Sequence, residues 1–508
     1  MNKKPNIILF LLDDFGYGDA SCLNENSQVE TQNIDTLARD GISFTDAHAC
    51  SAVCSPSRYG ILTGRYAWRS SLKAGVLPGP APALIEEGRE TLGTMLQSVG
   101  YRTAAVGKWH LGMDWATQGD WKAPRTYAEL DPDDPMEGID YDRPIQNGPN
   151  TRGFDYFFGM PGSLDQPPLV YIENDRVLSK PDCVAGIKGW QPQTPGECGA
   201  EFICYGPVGA GYDVQQAVPD MHNKVLALVD EYANGDKPFF LYSPTPAVHG
   251  PLVPTEEFAG KSKIGPYGDM ILMVDDFIGK LEAKLKDLGI ADNTMIIFTS
   301  DNGCAPIVDI PMLVREYGHN SSYVFRGCKF DIWEGGHRVP LIVKWPEAIR
   351  AGMQNDQCVC LIDLFATIAE IVGYDYGDSA GEDSFSMLPL WKGEAFAEIR
   401  EATVHHSGKG MYSIRKGNWK LELCAGSGGV SYPSEGKDDL NGLAPIQLYD
   451  LGSDIGEQNN VYDKHPEIVK ELKDLLASYV IAGRSTPGPT QRNASKPAVW
   501  PGLHWMNL

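Results

Sequence analysis

Residues 5–14, PNIILFLLDD, run from an unbroken apolar stretch straight into two adjacent aspartates. A short apolar run without alternating polar residues is typical of a strand buried on both faces, as in a parallel sheet covered by helices. Residues 294–303, TMIIFTSDNG, repeat the pattern and end in a second polar pair, Asp301 and Asn302. We therefore expect these two segments to be central strands of one sheet.

Helix patterns alternate with strand patterns from the N-terminus to about residue 375. The longest amphipathic pattern is GDMILMVDDFIGKLEAKLKDL at 268–288. Alternation of this kind indicates an α/β fold with helices on both faces of one sheet. The sequence predicts a large doubly wound sheet, mixed or mostly parallel, within residues 1–375.

Two regions depart from this alternation. Between about 113 and 220 the periodicity fades and Pro and Gly become frequent, which is typical of long loops that carry function. We expect this region to be a substrate-facing insertion on the first domain. Residues 376–508 predict a smaller α+β domain with a short antiparallel sheet, one helix at 466–483 and a tail that wraps the surface.

Four oxygen-bearing side chains follow the two central strands: Asp13, Asp14, Asp301 and Asn302. Ligands bind in open α/β sheets at the carboxyl ends of the strands, where these side chains would meet. Three carboxylates cannot all stay charged and close together without a cation. Hard oxygen ligands suit Ca²⁺ or Mg²⁺, and a site built mainly from protein atoms favours Ca²⁺.

The composition limits the partners of the protein. Lys and Arg number 43 and Asp and Glu number 67, which gives a formal charge of −24. Such an excess of negative charge disfavours nucleic acid and anionic membranes as general partners. No stretch approaches the roughly 18 apolar residues of a membrane-spanning helix. Lys3 and Lys4 before IILFLL imitate a signal peptide, but the short apolar run ends in aspartates and we interpret it as a strand.

Residues 54–64, CSPSRYGILTG, predict a helix whose N-terminus lies at Cys54. Pro56 fits the first helical turn, and the free N–H groups of that turn attract anions. Arg58 adds a fixed positive charge one turn into the helix. We expect an anion to bind beside Cys54, and a thiol at this position to have a depressed pKa.

The pattern Cys-x-Pro-Ser-Arg followed by Leu-Thr-Gly in this segment resembles the signature of the type I sulfatases. In that family the Cys is oxidised after translation to Cα-formylglycine, whose hydrated gem-diol is the nucleophile. One hydroxyl attacks sulfur to give a hemiacetal sulfate, and the second expels sulfate as the aldehyde re-forms. The resemblance extends to QLYDLGSDIGEQNN near the C-terminus. It implies an alkaline phosphatase-like fold and a sulfuric ester hydrolase.

The resemblance also implies roles for individual residues. The modified Cys54 would join the four oxygen-bearing residues after the central strands in holding one Ca²⁺. Lys108 and Lys329 resemble lysines that bind the sulfate, and His110 resembles the partner of a formylglycine hydroxyl. His249 resembles the histidine that contacts the sulfate or the leaving oxygen. We expect Arg58 and these lysines to neutralise sulfate oxygens, Asp301 to deprotonate the gem-diol, and His249 or Lys329 to protonate the departing oxygen.

The substrate is expected to be a sulfated polysaccharide or its oligosaccharides. Residues 163–177 and 318–327 resemble loops of carbohydrate sulfatases close to the N-acetylgalactosamine-6-sulfatase branch. Candidates for stacking on sugar rings are Tyr171, Tyr205 and Tyr212. Candidates for reading sugar hydroxyls are His319, Asn320, His337, Arg338, His405 and His406. These residues do not specify which sugar is bound or which of its positions carries the sulfate.

Two other functions stay open at this stage. One is a formylglycine-dependent phosphonate or phosphodiester hydrolase, and the other is a non-catalytic calcium-dependent glycan-binding protein. A sulfatase of this type also needs a formylglycine-generating enzyme or an anaerobic sulfatase-maturating enzyme as a partner during synthesis. We expect a periplasmic or extracellular location, with a leader that this numbering does not include, and the cytoplasm is the alternative.

The chain contains eleven cysteines. If Cys54 is the modified residue, ten are left, and all or none of these could pair. Cys183, Cys198 and Cys204 lie together in the Gly- and Pro-rich region, where a disulfide would help most. Cys304 and Cys328 would bring thiols near the site. The redox compartment of the protein stays open on this evidence.

Overall fold

The computed structural model describes residues 4–188, 204–394, 398–494 and 500–506. The strands, in chain order, are β1 (Asn6–Leu12), β2 (Ile42–Phe44), β3 (Ala47–His48), β4 (Arg102–Lys108), β5 (Tyr156–Met160), β6 (Ile172–Glu173), β7 (Arg176–Val177), β8 (Pro181–Ala185), β9 (Gly206–Gly209), β10 (Phe239–Pro244), β11 (Thr294–Ser300), β12 (Leu341–Lys344), β13 (Met353–Asn355), β14 (Val359–Cys360), β15 (Thr403–His406), β16 (Tyr412–Lys416), β17 (Trp419–Glu422) and β18 (Gln447–Asp450). The helices are α1 (Gln32–Arg39), α2 (Cys54–Thr63), α3 (Leu92–Ser98), α4 (Ala217–Ala233), α5 (Pro266–Asp287), α6 (Ile310–Tyr317), α7 (Glu334–His337), α8 (Leu364–Val372), α9 (Leu388–Trp391) and α10 (Pro466–Ala482).

Strand β1 lies inside the main sheet and is buried on both faces. Ile7 and Leu9 point into one hydrophobic core, whereas Ile8 and Phe10 point into a second core on the opposite face. Alternate residues of a strand face opposite sides of a sheet, so an unbroken apolar run is what two covered faces require. The prediction for the opening segment is confirmed.

The main sheet has the strand order β13-β2-β12-β11-β1-β10-β4-β5-β6-β7. The run from β11 to β5 is parallel, while β12 pairs antiparallel with both β11 and β2. Residues of α1, α4 and α5 pack in the core on one face, and residues of α2, α3 and α8 pack in the core on the other. The fold is therefore a mixed, mostly parallel sheet flanked by helices, as predicted.

Strands β15 to β18 form a separate antiparallel sheet in sequential order. Helix α10 packs on this sheet, with Leu472 and Leu476 in one core with Ile414 and Leu421. The predicted small C-terminal sheet with one helix is confirmed. The division of the chain at residues 375 and 376 stays a prediction; α8 ends at Val372 and β15 begins at Thr403.

One local prediction differs from the structure. The region at 113–220 is only partly an insertion, because β5 pairs parallel with β4 and extends the main sheet together with β6 and β7. Residues 42–49 contain two strands, β2 and β3, which pair with different partners. Gly335 and Gly336 lie in the short helix α7.

The cysteine predictions are tested only in part. The ten cysteines among the described residues are all free, and Cys198 lies outside the described residues. Cys183 lies in β8, and Cys204 forms an isolated β-bridge with Ile187. No disulfide joins these two cysteines. Among the described residues, no helix combines the length and the apolarity needed to cross a membrane.

Phe10 offers a test of the central position of β1. Its ring lies 5.3 Å from the ring of Phe277 and 6.2 Å from that of Phe298, measured between centroids. Truncation to Ala would leave a cavity between the sheet and α5, so Phe10→Ala is expected to destabilise the fold by about 3–5 kcal/mol. Phe10→Leu, which keeps most of the volume, should cost less than about 1.5 kcal/mol. Thermal unfolding of both variants measures this order, and equal melting of Phe10→Ala and wild type would contradict it.

Candidate active site

The carboxyl ends of β1 and β11 bring the predicted oxygen ligands together. These strands are parallel neighbours with Leu12 opposite Ser300, so the residues that follow each strand are adjacent. Asn302 Nδ2 donates a hydrogen bond of 2.7 Å to Asp14 Oδ1. The side chains of Asp13, Asp14, Asp301 and Asn302 are all buried. The predicted convergence is present in the structure.

Cys54 lies beside this cluster as the first residue of α2. Val53 before it is extended, and the helix ends at Gly64 in a left-handed conformation. The Cys54 Sγ atom lies 3.5 Å from Asp13 Oδ1. The helix N-terminus therefore points its free N–H groups at the same edge of the sheet as the carboxylates.

The expected depressed pKa of the Cys54 thiol is wrong. Burial raises the pKa of this thiol, and Asp13 and Asp301 add to the shift, although Lys108 and Lys329 oppose it. Full desolvation and two nearby carboxylates thus outweigh the helix N-terminus. An unmodified Cys54 is a neutral thiol at neutral pH and a poor nucleophile.

Three cations from separate parts of the chain neutralise the carboxylates. Arg58 donates from Nε to Asp301 Oδ2 at 2.8 Å, and its Nη2 lies 2.7 Å from the same oxygen. Lys108 Nζ lies 2.6 Å from Asp13 Oδ2. Lys329 Nζ lies 2.7 Å from an oxygen of Asp14. Each carboxylate therefore has at least one cationic partner, which is what lets three of them share a buried site.

The balance of burial and charge differs among the three carboxylates. Burial raises the pKa of Asp301 to about 6, although Arg58 opposes the shift. Burial also raises the pKa of Asp14. For Asp13, burial acts in the same direction, but attraction from Lys108 and the other cations outweighs it and holds the pKa well below the usual range. Burial therefore disfavours the charged form of both Asp14 and Asp301, whereas Asp13 is held in its charged form.

The two predicted histidines are both neutral and both oriented by a backbone carbonyl. His110 Nε2 lies 2.7 Å from the carbonyl oxygen of Leu77, and His249 Nδ1 lies 2.6 Å from that of Gly250. Burial lowers the pKa of His249 to about 4 and that of His110 well below its usual range. Because the bonded nitrogens must donate to carbonyls, His110 Nδ1 and His249 Nε2 are left as acceptors.

The residues present fit a hard cation. Asp13, Asp14, Cys54 and His249 place one ligand atom each within 4.8 Å of one another. Asn302 adds a buried Oδ1 atom that has no hydrogen-bond partner among the described residues. A buried amide oxygen without a donor costs free energy unless something positive faces it. Carboxylate and amide oxygens in this number suit Ca²⁺ better than a softer metal.

A cavity of about 570 Å³ opens over this cluster. Asp14, Cys54, His249 and Lys329 lie at its inner end and line it together with residues of several loops. Among the loop residues that line it are Tyr127, Asp165, Gln166, Tyr205 and Phe330. The volume lies in the range of small-molecule sites, and the mixture of rings and carboxylates is typical of a pocket for a polar ligand.

Asp165 was not among the predicted site residues. It is 1% exposed, and neither carboxylate oxygen has a hydrogen-bond partner from another described residue. Its Oδ1 atom lies 3.7 Å from His249 Nδ1. The signal in the sequence was an Asp in the Gly- and Pro-rich loop that follows β5. That loop could be placed beside Cys54 only once β5 was known to join the main sheet.

Two of the residues predicted to read sugar hydroxyls lie in a structural turn. His319 is fully buried; its Nε2 is 2.9 Å from Asp19 Oδ1, and its Nδ1 accepts from the backbone of Gln28. Asn320 bonds within its own loop to Tyr323 and Ser322. Neither residue lines the cavity. Their hydrogen bonds are already used inside the protein, so the structure contradicts a sugar-reading role.

The other four candidates are also corrected. His337 and His405 stack on each other and have no exposed surface, while Arg338 forms ion pairs with Asp46 and Glu334. The fourth candidate, His406, is 2% exposed. None of these four lines the cavity. The adjacent residues His405 and His406 were predicted to face the substrate, because a short stretch of sequence does not reveal burial between two sheets.

Of the other residues predicted near the site, one lines the cavity and four do not. Tyr205 lines the cavity, but Tyr171 and Tyr212 pack against each other at 5.4 Å instead of facing it. Cys304 and Cys328 are buried and free, and neither lines the cavity. The two thiols are therefore buried and unpaired, and they lie outside the cavity.

The chain matches known proteins over most of its length. The family model described as Sulfatase matches residues 5–374. The N-acetylgalactosamine-6-O-sulfatase of Bacteroides thetaiotaomicron is 33% identical over 516 residues, which cover 94% of this chain and 93% of that protein. Human arylsulfatase A is 29% identical over 512 residues, covering 96% of this chain and 90% of that protein.

A solved structure from work on the metabolism of multiple glycosaminoglycans by Bacteroides thetaiotaomicron superposes with a TM-score of 0.79. It is 32% identical in sequence and covers 94% of this chain and 99% of its own. Sulfatases of this family use formylglycine and a metal ion, in agreement with Cys54 at a helix N-terminus beside a cluster of carboxylates. From its match to the family model and its relatives, this protein is a member of the sulfatase family.

Proposed function

We propose that the protein hydrolyses sulfate esters of a sulfated polysaccharide or its oligosaccharides, with formylglycine at position 54. The observation that supports this most directly is the convergence at the inner end of one cavity. There Cys54 lies at the helix N-terminus, with Asp14, His249 and Lys329 beside it. A sulfate ester placed against Cys54 would meet cations and N–H groups on its charged side and sugar-sized space on the other.

Formylglycine would supply a hydrated aldehyde, one hydroxyl of which attacks sulfur while the other later releases sulfate. Lys108 and Lys329 hold their ammonium groups at the carboxylates beside Cys54, where they would also neutralise charge that develops on the sulfate oxygens. Arg58 holds Asp301 through two nitrogens and donates from Nη1 to the carbonyl of Lys108. It therefore fixes the positions of both groups.

Proton transfer is assigned to Asp301 and two histidines. Asp301, with a pKa raised to about 6, would accept the proton of the attacking hydroxyl. His110 offers its unpartnered Nδ1 atom as an acceptor for the second hydroxyl. Lys329, or His249 after it takes up a proton on its acceptor Nε2 atom, would supply the proton that the departing sugar oxygen requires; both residues line the cavity.

We infer that the bound ion is Ca²⁺, with Mg²⁺ as the second choice. The residues that would hold it are Asp13, Asp14, Asp301, Asn302 and the modified Cys54. When bound, the ion would add positive charge where the sulfate oxygens lie. Its ligands are supplied by the protein from one sheet edge, which suits the larger and more flexible coordination of Ca²⁺.

The first substrate to test is a 6-O-sulfated N-acetylgalactosamine oligosaccharide. This choice is supported by the relative at 33% identity, which is an N-acetylgalactosamine-6-O-sulfatase. In the cavity, Tyr127, Tyr205 and Phe330 offer ring surfaces for a sugar. Asp165, with two unpartnered oxygens, offers acceptors for sugar hydroxyls. Gln166 beside it donates and accepts.

We further propose a periplasmic or extracellular location, where sulfated polysaccharides are met. Maturation would require a formylglycine-generating or an anaerobic sulfatase-maturating enzyme, because oxidation of Cys54 needs a catalyst from outside the chain. Cys54 is fully buried in the folded protein. Its modification is therefore expected before folding is complete.

The mass of the peptide that contains residue 54 tests the nucleophile. Protein from a host with a maturation enzyme should carry a residue lighter by the difference between CH₂SH and CHO, or that residue as its hydrate. Cys54→Ala should lose turnover of the sulfated oligosaccharide by about a thousandfold or more. Cys50→Ala, which changes a buried thiol outside the cavity, is the control and should keep both the modification and turnover.

Outcomes of this experiment separate the alternatives. Full turnover by Cys54→Ala would contradict the proposal. Binding of the oligosaccharide without release of sulfate by modified protein would indicate a glycan-binding protein. Faster turnover of an aryl phosphodiester than of an aryl sulfate would indicate the phosphodiesterase alternative.

Removal of the metal tests the oxygen ligands. Dialysis against EGTA should abolish turnover, and Ca²⁺ should restore it more fully than Mg²⁺. Asn302→Ala should raise the Ca²⁺ concentration for half-maximal activity by roughly tenfold or more. Asn234→Ala, at an exposed helix end, is the matched control. Activity that is indifferent to EGTA and to added Ca²⁺ would refute the assignment.

Asp165 tests how the cavity reads the sugar. Asp165→Asn replaces a charged acceptor with an amide, so KM for the oligosaccharide should rise roughly tenfold. Turnover of a small aryl sulfate, which lacks the sugar hydroxyls, should change little. Asp133→Asn, in an exposed part of the same region, should behave as wild type. Equal losses on both substrates would show that Asp165 acts on the sulfate chemistry instead.

A further inference from the structure

The cavity over Cys54 differs in charge between its inner end and its walls. Among the described residues that line it, the only side chain with a full positive charge is Lys329, at the inner end. The Lys329 ammonium group lies 2.7 Å from Asp14 Oδ1 and is paired with that carboxylate. His249 also lines the cavity, but burial lowers the pKa of its imidazole to about 4, so the ring is neutral at neutral pH. Positive charge is therefore confined to the place where the sulfate would bind.

Two further carboxylates line the cavity, those of Asp131 and Asp165. Asp165 is 1% exposed, and its Oδ1 atom lies 3.7 Å from His249 Nδ1. On the other side of the same ring, His249 Nε2 lies 3.7 Å from Asp14 Oδ2. The imidazole therefore stands between Asp165 and the ion pair at the inner end. Asp165 faces the part of the cavity that a sugar would occupy.

The Asp165 carboxylate is left to be satisfied by a ligand. Neither of its oxygens has a hydrogen-bond partner from another residue in the part of the chain that the structure describes. Burial raises the pKa of Asp165, although attraction from His249, Lys108 and Lys329 opposes the shift. A second anion nearby would destabilise the charged carboxylate further, because like charges repel strongly in a poorly hydrated cavity. A hydroxyl or an amide N–H group would instead donate to it.

Two lysines close to the cavity do not change this balance. Lys188 Nζ lies 4.5 Å from the centroid of the Tyr205 ring, but Lys188 is exposed. Lys73 lies two residues before Gly75 of the lining, and its ammonium group donates to the carbonyl of Trp68 at 3.0 Å. Neither lysine lines the cavity.

Much of the remaining wall is apolar. Leu130, Met136 and Ile307 line the cavity together with the rings of Tyr127 and Phe330. Such surfaces pack well against the face of a sugar ring. They cannot replace the water that an ionic substituent loses on entering the cavity, and this loss costs far more for a charged group than for a hydroxyl.

We propose that the cavity selects a sugar on which the sulfate under hydrolysis is the only anionic group, and that Asp165 enforces this selection. The inference rests on the proposed function and narrows its substrate class. A second sulfate or a carboxylate on the same ring would share the cavity with Asp165, at separations comparable with the Debye length of about 8 Å at physiological salt, so the repulsion would be screened only in part. Neutral hydroxyls and an acetamido N–H group would donate to Asp165 instead.

Calorimetric binding to Cys54→Ala in the presence of Ca²⁺ tests the selection without turnover. The probes are three methyl glycosides of N-acetylgalactosamine: the 6-sulfate, the 4,6-disulfate, and the 6-sulfate with a neutral methylsulfonyl ester at O4. The third compound has nearly the shape of the disulfate but lacks its second charge. We expect the disulfate to bind at least roughly tenfold more weakly than the methylsulfonyl compound.

The source of the selection is tested by Asp165→Asn in the Cys54→Ala background. This change removes the charge and nearly keeps the shape of the side chain, so the ratio of the two affinities should fall to roughly a third of its value or less. Asp133→Asn, at an exposed position in the same region, is the matched control and should keep the ratio.

Equal affinity for the disulfate and the methylsulfonyl compound, or no measurable binding of either, would overturn the proposal. An unchanged ratio in Asp165→Asn would also overturn it, because the selection would then come from another group. The comparison of the two O4 compounds needs only Cys54→Ala, so it decides the matter if Asp165→Asn fails to fold. Failure of the proposed function looks different, because wild-type protein carrying formylglycine would then release no sulfate from the 6-sulfate, whatever the ratio of affinities.

Discussion

The site depends on a single electrostatic constraint, which is that three carboxylates are buried at one edge of the sheet. Asp13, Asp14 and Asp301 are each at most 1% exposed, and in so dry a place they repel one another strongly. Their charges are neutralised by Arg58 and Lys108, from two neighbouring elements, and by Lys329, from a distant loop. Each cation lies closest to a different carboxylate, and Arg58 Nη2 also lies 3.8 Å from Asp13 Oδ1. Loss of any one would leave a buried charge without its partner.

This constraint also bears on the proposed modification of Cys54. The carboxylates that would hold a metal ion lie beside the Cys54 thiol and, together with burial, raise its pKa. The same surroundings therefore suit an oxygen nucleophile beside a cation and disfavour a thiolate. The helix N-terminus contributes free N–H groups for an anion, but it does not control the protonation of the thiol. Charge balance at the sheet edge and the chemistry at residue 54 are two consequences of one arrangement.

A second region shows how burial changes the meaning of a residue. His337, Arg338, His405 and His406 suggest a polar surface when they are considered one at a time. In the structure they lie where the C-terminal sheet meets the first domain, and three of them have no exposed surface or are committed to ion pairs. Polar residues at such a junction must satisfy one another. His48 and His337 do so through their Nδ1 atoms, which lie 3.0 Å apart, and through Asp46 and the carbonyl oxygen of Ile332 on their Nε2 sides.

The sequence by itself determined the sheet and pointed to the proposed metal ligands and the proposed nucleophile position, because each corresponds to a short contiguous pattern. An apolar run that ends in Asp13 and Asp14 predicts both a strand buried on two faces and oxygen ligands at its carboxyl end. Residues 54–64 predict a helix with Cys54 at its N-terminus. Only the tertiary structure decided which distant residues join them. Asp165 lines the cavity because β5 pairs with β4. His319 lies outside the cavity, where its ring is hydrogen-bonded to Asp19. Such choices depend on contacts between segments that are tens to hundreds of residues apart in the sequence, and local periodicity carries no information about them.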